Sequence, residues 1–192
     1  MTARPIYLPP WRIDLDVRPG TPRVLPASVL TRCLAAALRA GGAPAPASVG
    51  LVLADDVELA RLNAIHLGKR GPTDVLSFPL LPPGAFPPHR PRSTTGDAPP
   101  AEPPFRLPPG VRLAVGDVVV SVERAIAQAA EGRGGQAGDL RWAAADELRL
   151  LVTHGGLHLC GWDHAEAEEE AAMRALERTL LGCAGGGDVG TG

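Results

Sequence analysis

Residues 154–164 read HGGLHLCGWDH, and how this stretch folds sets both the end of a long helix and the path of the chain beyond it. His154 and His158 are four positions apart. On a helix their side chains lie about 40° apart around the axis and roughly 6 Å along it, close enough for both imidazoles to bind one ion. His164 cannot continue that face, but Gly161 offers a chain reversal that brings it back as a third ligand. Three of the five histidines of the chain fall inside this stretch. Zinc prefers a tetrahedral site with Zn–N bonds of about 2.0–2.1 Å, and three imidazoles leave one position open, the mark of a catalytic rather than a structural ion. One divalent cation held by His154, His158 and His164 is therefore expected, in preference to three unrelated histidines. Cys160 falls on the far side of the helix and is expected to pack rather than to ligate.

The same spacing occurs in the metzincin proteases, whose general base is a glutamate directly after the first histidine. Here that position is Gly155, which has no carboxylate to activate water for peptide hydrolysis. Phosphodiester cleavage asks less of such a residue, because a metal both activates water and neutralises phosphoryl charge. Asp163 is left with two readings, a partner that orients a ligand histidine or the cap of the following helix.

Working outward, Leu140, Ala144, Leu148, Leu151 and Leu159 follow helical spacing, which predicts a helix from Asp139 to about Cys160 with Asp139 as N-cap. A last helix runs from about residue 165 to 181, acidic at the end its dipole favours, followed by a loose glycine-rich tail over 183–192. Upstream, VRLAVGDVVVSV (111–122) reads as a strand with a bend or bulge at Gly116-Asp117. Ser121 then caps a short helix to about Glu131. WRIDLDV (11–17) alternates apolar and charged residues as a half-buried strand does, and SVGLVLA (48–54) and TDVLSFPL (73–80) add two more. Between the first two strands, Val29, Leu30, Cys33, Leu34, Ala37 and Leu38 predict a helix from Pro26 to Ala40, stopped by Gly41-Gly42. Asp55 and Glu58 form a capping-box start for a helix reaching about His66.

Twelve prolines from Pro79 to Gly110, Pro79 included, deny this segment both a periodic apolar face and complete backbone ladders. Residues 82–110 read as a mobile insertion, with Arg90, Arg92 and Arg106 solubilising it or touching RNA. The domain proper spans residues 1–182. At 192 residues and 45% hydrophobic, the chain is expected to form one globular domain. A net charge of −2 and a pI near 6.2 exclude a general basic coat for nucleic acid, so any RNA contact is local. The three cysteines are far apart and argue against a disulfide framework. No run reaches the 18 or so apolar residues of a membrane span, and the opening MTARPIYLPPWRIDLDV lacks the basic start and apolar stretch of a secretory leader. A soluble, cytoplasmic protein is expected, with no membrane partner and no organic cofactor.

HGGLHLCGWDH resembles the signature of the YbeY family, the bacterial rRNA maturation endoribonucleases. NAIHLGKRGPTDVLSFP (63–79) and GDVVVSVERA (116–125) are similar to two further family segments in the same order, and the likeness covers roughly residues 10–182 outside the proline-rich insertion, which is unusual for the family. The resemblance implies an α/β (α+β) single domain, a roughly four-stranded mixed sheet flanked by helices, with one Zn2+ held by His154, His158 and His164 at the end of a long central helix. It also implies single-strand-specific RNA cleavage, maturation of the 3′ end of small-subunit ribosomal RNA and ribosome quality control, with ribosomal RNA and the small ribosomal subunit as partners. The family usually carries an aromatic residue and an arginine before its Gly-Lys, where this chain has His66 and Leu67. Leucine cannot pair with phosphate, so Lys69 or Arg70 takes that role or cleavage is weakened. Thr73, Asp74, Ser77 and Asp117 line the cleft or serve as turn and strand-edge groups. The alternative from another class is a non-catalytic ribosome-assembly factor in which zinc is a structural clip; a metalloprotease is disfavoured by Gly155.

Overall fold

The computed structural model describes residues 3–88, 108, 111–132, 142–164 and 166–185. Five strands, β1 (Arg4–Leu8), β2 (Trp11–Val17), β3 (Ala47–Ala54), β4 (Val75–Pro79) and β5 (Leu113–Ser121), form one sheet in the order β1-β2-β3-β5-β4. β2, β3 and β5 run parallel, while β1 and β4 are antiparallel edges, so the sheet is mixed. The strand count is five rather than the expected four. The additional strand is β1, an edge element carrying Pro5 opposite Asp14 and no buried residue. Proline tolerates an edge position because no neighbour needs its missing N–H.

Five helices complete the fold: α1 (Ala27–Ala40), α2 (Asp56–Leu67), α3 (Val122–Ala130), α4 (Ala144–Leu159) and α5 (Ala167–Gly185). On one face of the sheet, Ile13, Leu15, Val49, Leu51, Val118 and Val120 meet Leu30, Leu34 and Leu38 of α1 and Leu148, Leu151 and Val152 of α4. On the other, Leu59 of α2 packs on Ala54, Leu76 and Val119. α5 lies outside α4, with Met173 against Ala37 and Leu157. α4 is thus enclosed by sheet, α1 and α5, which makes it the central helix.

Gly155 and Gly156 explain how α4 fits there. A Cβ at 155 would come within 2.6 Å of Val118 and 2.9 Å of Val75, and one at 156 within 2.8 Å of Ala37. Both positions lack a side chain because the layers on either side have closed over them.

The bulge lies beside the expected place. The β3–β5 register shifts between Ser48 and Val49, opposite Val115 and Gly116. As a result Val115 and Val118, three apart, face the same core, the phase change that one extra residue produces. Gly116 has φ +146 and a Cβ there would strike the Phe78 carbonyl oxygen at 2.3 Å.

Capping follows the sequence in two helices and departs from it in a third. The Asp55 side chain accepts from the Glu58 N–H (2.8 Å), but Glu58 bonds Arg18 at 2.8 Å instead of closing the box. The Ser121 hydroxyl accepts from the Arg124 N–H (3.0 Å). α4 starts at Ala144, later than expected, and Asp146 accepts from the Ala143 N–H (3.2 Å); Asp139 and Leu140 lie outside the described residues. Of the proline-rich segment, Pro83–Ala85 form a single 3-10 turn and Phe86 is buried in the main core. Arg90, Arg92, Arg106 and residues 186–192 lie outside the described residues.

Candidate metal centre

α4 ends in the reversal that the sequence calls for. Gly161 takes a left-handed conformation at φ +83; its N–H donates to the His158 carbonyl (3.0 Å) and that of Trp162 to the Leu157 carbonyl (3.2 Å). These two bonds are the Schellman pair that closes a helix and turns the chain sharply. The turn returns His164 to the histidine face. Ring centroids lie 4.4 Å apart for His154 and His158, 5.1 Å for His158 and His164, and 5.8 Å for His154 and His164. One nitrogen of each ring falls within 4.8 Å of the others. Tetrahedral bonds of about 2.0–2.1 Å set ring nitrogens roughly 3.4 Å apart, so modest side-chain adjustment suffices for all three to reach one ion.

The ring tautomers suit that role. His154 donates through Nδ1 to the Glu177 carboxylate at 2.7 Å, which leaves Nε2 with its lone pair. That Nε2 is 2.9 Å from Nε2 of His158, so the two atoms converge on one point that a cation can occupy. Burial, reinforced by the neighbouring His154 and His164, pushes His158 down to about 4, so it is neutral and able to ligate at physiological pH. Cys160 is buried against Gly41, and burial pushes its thiol up to about 12, far from the thiolate a metal requires.

Glu177 was not singled out in the sequence. It stands 23 positions from its partner, beyond any local period, and is only 7% exposed. The available signal was a carboxylate interrupting the apolar stripe Met173, Leu176 and Leu180 on the inner face of the last helix. Asp163 serves neither role expected of it. Its carboxylate accepts from the His164 backbone N–H (2.7 Å) rather than from a ring, and α5 begins only at Ala167.

A cleft of about 370 Å³ extends from His154 and His164 between α4 and α5. Asp74, Gln128, Trp142 and Glu147 close its far end, and Arg174 and Arg178 line it from α5. Lys69 and Arg70 are exposed on the loop after α2 and do not line this cleft. Ser77 is structural, donating to the Gly155 carbonyl (2.9 Å). Thr73 donates to Asp74 (3.3 Å). Asp117 lies over Gly50, and burial raises its carboxyl. His66 is exposed and meets Phe78 edge-on at 4.9 Å.

The family model described as Endoribonuclease YbeY matches residues 25–185, which takes in the histidine face, the reversal and Glu177. The chain belongs to the YbeY endoribonuclease family. Among YbeY relatives, that of Roseiflexus castenholzii is 33% identical over 90% of this chain and 92% of its own length. The YbeY protein of Moorella thermoacetica is 37% identical over 80% and 83% respectively. The solution structure of TM1509 from Thermotoga maritima covers 95% of this chain and 99% of its own, with 20% identity and a TM-score of 0.48. Among the described residues, no helix is long and apolar enough to cross a membrane.

Proposed function

We propose that the protein is a zinc-dependent endoribonuclease that cuts single-stranded RNA, and that it acts in the cytoplasm on the 3′ end of small-subunit ribosomal RNA, within ribosome quality control. The observation that carries this reading is the approach of His154, His158 and His164 to within 4.8 Å of one another, beside a cleft open to substrate. Its bearing on RNA rests on the endoribonuclease activity for which the relatives are named.

His154, His158 and His164 hold the ion, and Zn2+ bound there supplies Lewis-acid activation of water near neutral pH and neutralisation of phosphoryl charge. Glu177 keeps the proton on Nδ1 of His154 and so aims Nε2 at the site. Asp163 fixes the backbone that carries His164. Gly155, pressed against Val118 and Val75, has no space for the carboxylate of a peptidase, which removes the metalloprotease alternative. Lys69 and Arg70, exposed on the loop leading into β4, bind substrate phosphate in place of the arginine that Leu67 replaces.

Purified protein should cleave single-stranded RNA, and His158→Ala should abolish that cleavage. Equal products from the two proteins would overturn the assignment. Leu67, 55% exposed where a basic side chain is usual, favours one second reading, an ion that clips together a non-catalytic assembly factor. Under it, metal removal unfolds the protein, and Leu67→Arg creates activity that is absent without it.

A further inference from the structure

The far end of the cleft is a polar pocket that metal binding does not use. Glu147 is 5% exposed. Its Oε2 accepts from the Trp142 indole N–H at 2.5 Å, while Oε1 has no hydrogen-bond partner among the described residues. Asp74 beside it is held by the Val75 N–H (2.9 Å) and by Gln128 Nε2 (3.0 Å), and Oε1 of Gln128 is buried without a partner. That buried amide oxygen is costly to leave unmet unless something brings a donor to it, and the open carboxylate oxygen beside it accepts from whatever enters the cleft. An apolar wall of Leu150, Leu151 and Met173 connects this end of the cleft to His154.

We infer that this pocket receives the base of a nucleotide adjoining the cut phosphate, and that it selects guanine. The inference rests on the nuclease reading for its substrate. An ionised carboxylate only accepts hydrogen bonds. Guanine alone among the four RNA bases presents two adjacent N–H donors, N1 and N2, on its pairing edge, whereas uracil sets carbonyl oxygens on both sides of a single N–H. The Trp142 ring supplies an aromatic surface of the kind on which unstacked bases lie. Seven residues of helix separate His154 from Glu147, a distance of about 10 Å along α4, which one nucleotide spans. Exposed Arg178, on the cleft side of α5, is placed to meet a flanking phosphate. Only an unpaired base can turn outward into such a pocket, which gives single-strand specificity a physical basis.

The test is calorimetric titration of the intact, metal-loaded protein with guanosine 5′-monophosphate and with uridine 5′-monophosphate. Guanosine monophosphate should bind about tenfold more tightly, and Glu147→Gln should erase the difference because an amide offers a donor where an acceptor is needed. Trp142→Phe keeps a ring but removes the N–H that orients the carboxylate, and should narrow the difference even if Glu147→Gln does not fold. Equal binding of the two nucleotides by the unaltered protein, or an undiminished preference in Trp142→Phe, overturns the assignment. Cleavage assays on single-stranded RNA separate the two readings. Guanine-selective binding by a protein that cuts no RNA upholds the pocket and defeats the nuclease; cleavage without selective binding does the reverse.

Discussion

Each histidine of the cluster is fixed by a different contact, and each contact makes its own demand. His154 depends on Glu177, whose carboxylate accepts a hydrogen bond from Nδ1–H at 2.7 Å. Glu177→Gln should therefore weaken metal affinity about 10- to 100-fold while the chain still folds, measurable by chelator competition; undiminished affinity would show that the tautomer is set elsewhere. His158 makes a demand on pH. In the metal-free protein it takes up its proton only near pH 4, whereas an unfolded histidine does so near about 6.5. Between those values the unfolded chain binds more protons, so folding stability falls as the pH is lowered across the window. Urea midpoints of stripped protein should drop from pH 6.5 toward 4, and His158→Gln should flatten that slope.

At the scale of elements, α4 was legible in part. The four-residue spacing of His154 and His158, and a glycine placed to end the helix, gave its histidine face and the return of His164. Its beginning was not legible, because leucine spacing extends through Leu140 while the helix starts at Ala144. β1 was not legible because it is only five residues long, carries Pro5 and runs into Pro9-Pro10, which together read as loop, although Ile6 and Leu8 pack on the main core. The far end of the cleft was illegible for a different reason. Asp74 from the bend before β4, Gln128 from α3 and Glu147 from α4 meet only in the packed fold. The two glycines after His154 look like flexibility in the sequence but are points of closest approach. A methyl at Gly156 would sit 2.8 Å from Ala37, and one at Gly155 would sit 2.6 Å from Val118. Gly155→Ala and Gly156→Ala should each destabilise the fold by about 1–3 kcal/mol through overpacking, despite alanine's better helix propensity. Denaturant midpoints equal to those of the parent would mean that the layers have slack.

For the molecule as a whole, the question is whether the ion holds the fold together or only serves the site. The main core is built from β2, β3, β5, α1 and α4, and none of its contacts passes through a histidine ring. An ion on the three histidines would instead span α4 and the turn that leads into α5, where packing is thinner: Met173 meets Ala37 and Leu157, and Glu177 meets His154. Removing metal should therefore loosen the 160–167 connection and the seat of α5 without unfolding the sheet. Chelation is expected to abolish RNA cleavage, leave the far-ultraviolet circular dichroism nearly unchanged and lower the melting temperature by an amount set by metal concentration over its dissociation constant. Hydrogen exchange should quicken at the end of α4 and the start of α5, while β3 and β5 keep their protection. Global loss of protection on chelation would place the ion among the supports of the fold and favour the non-catalytic clip. Retained protection with lost cleavage would assign it to chemistry, because a core that closes without the metal leaves the three imidazoles no structural task that requires it.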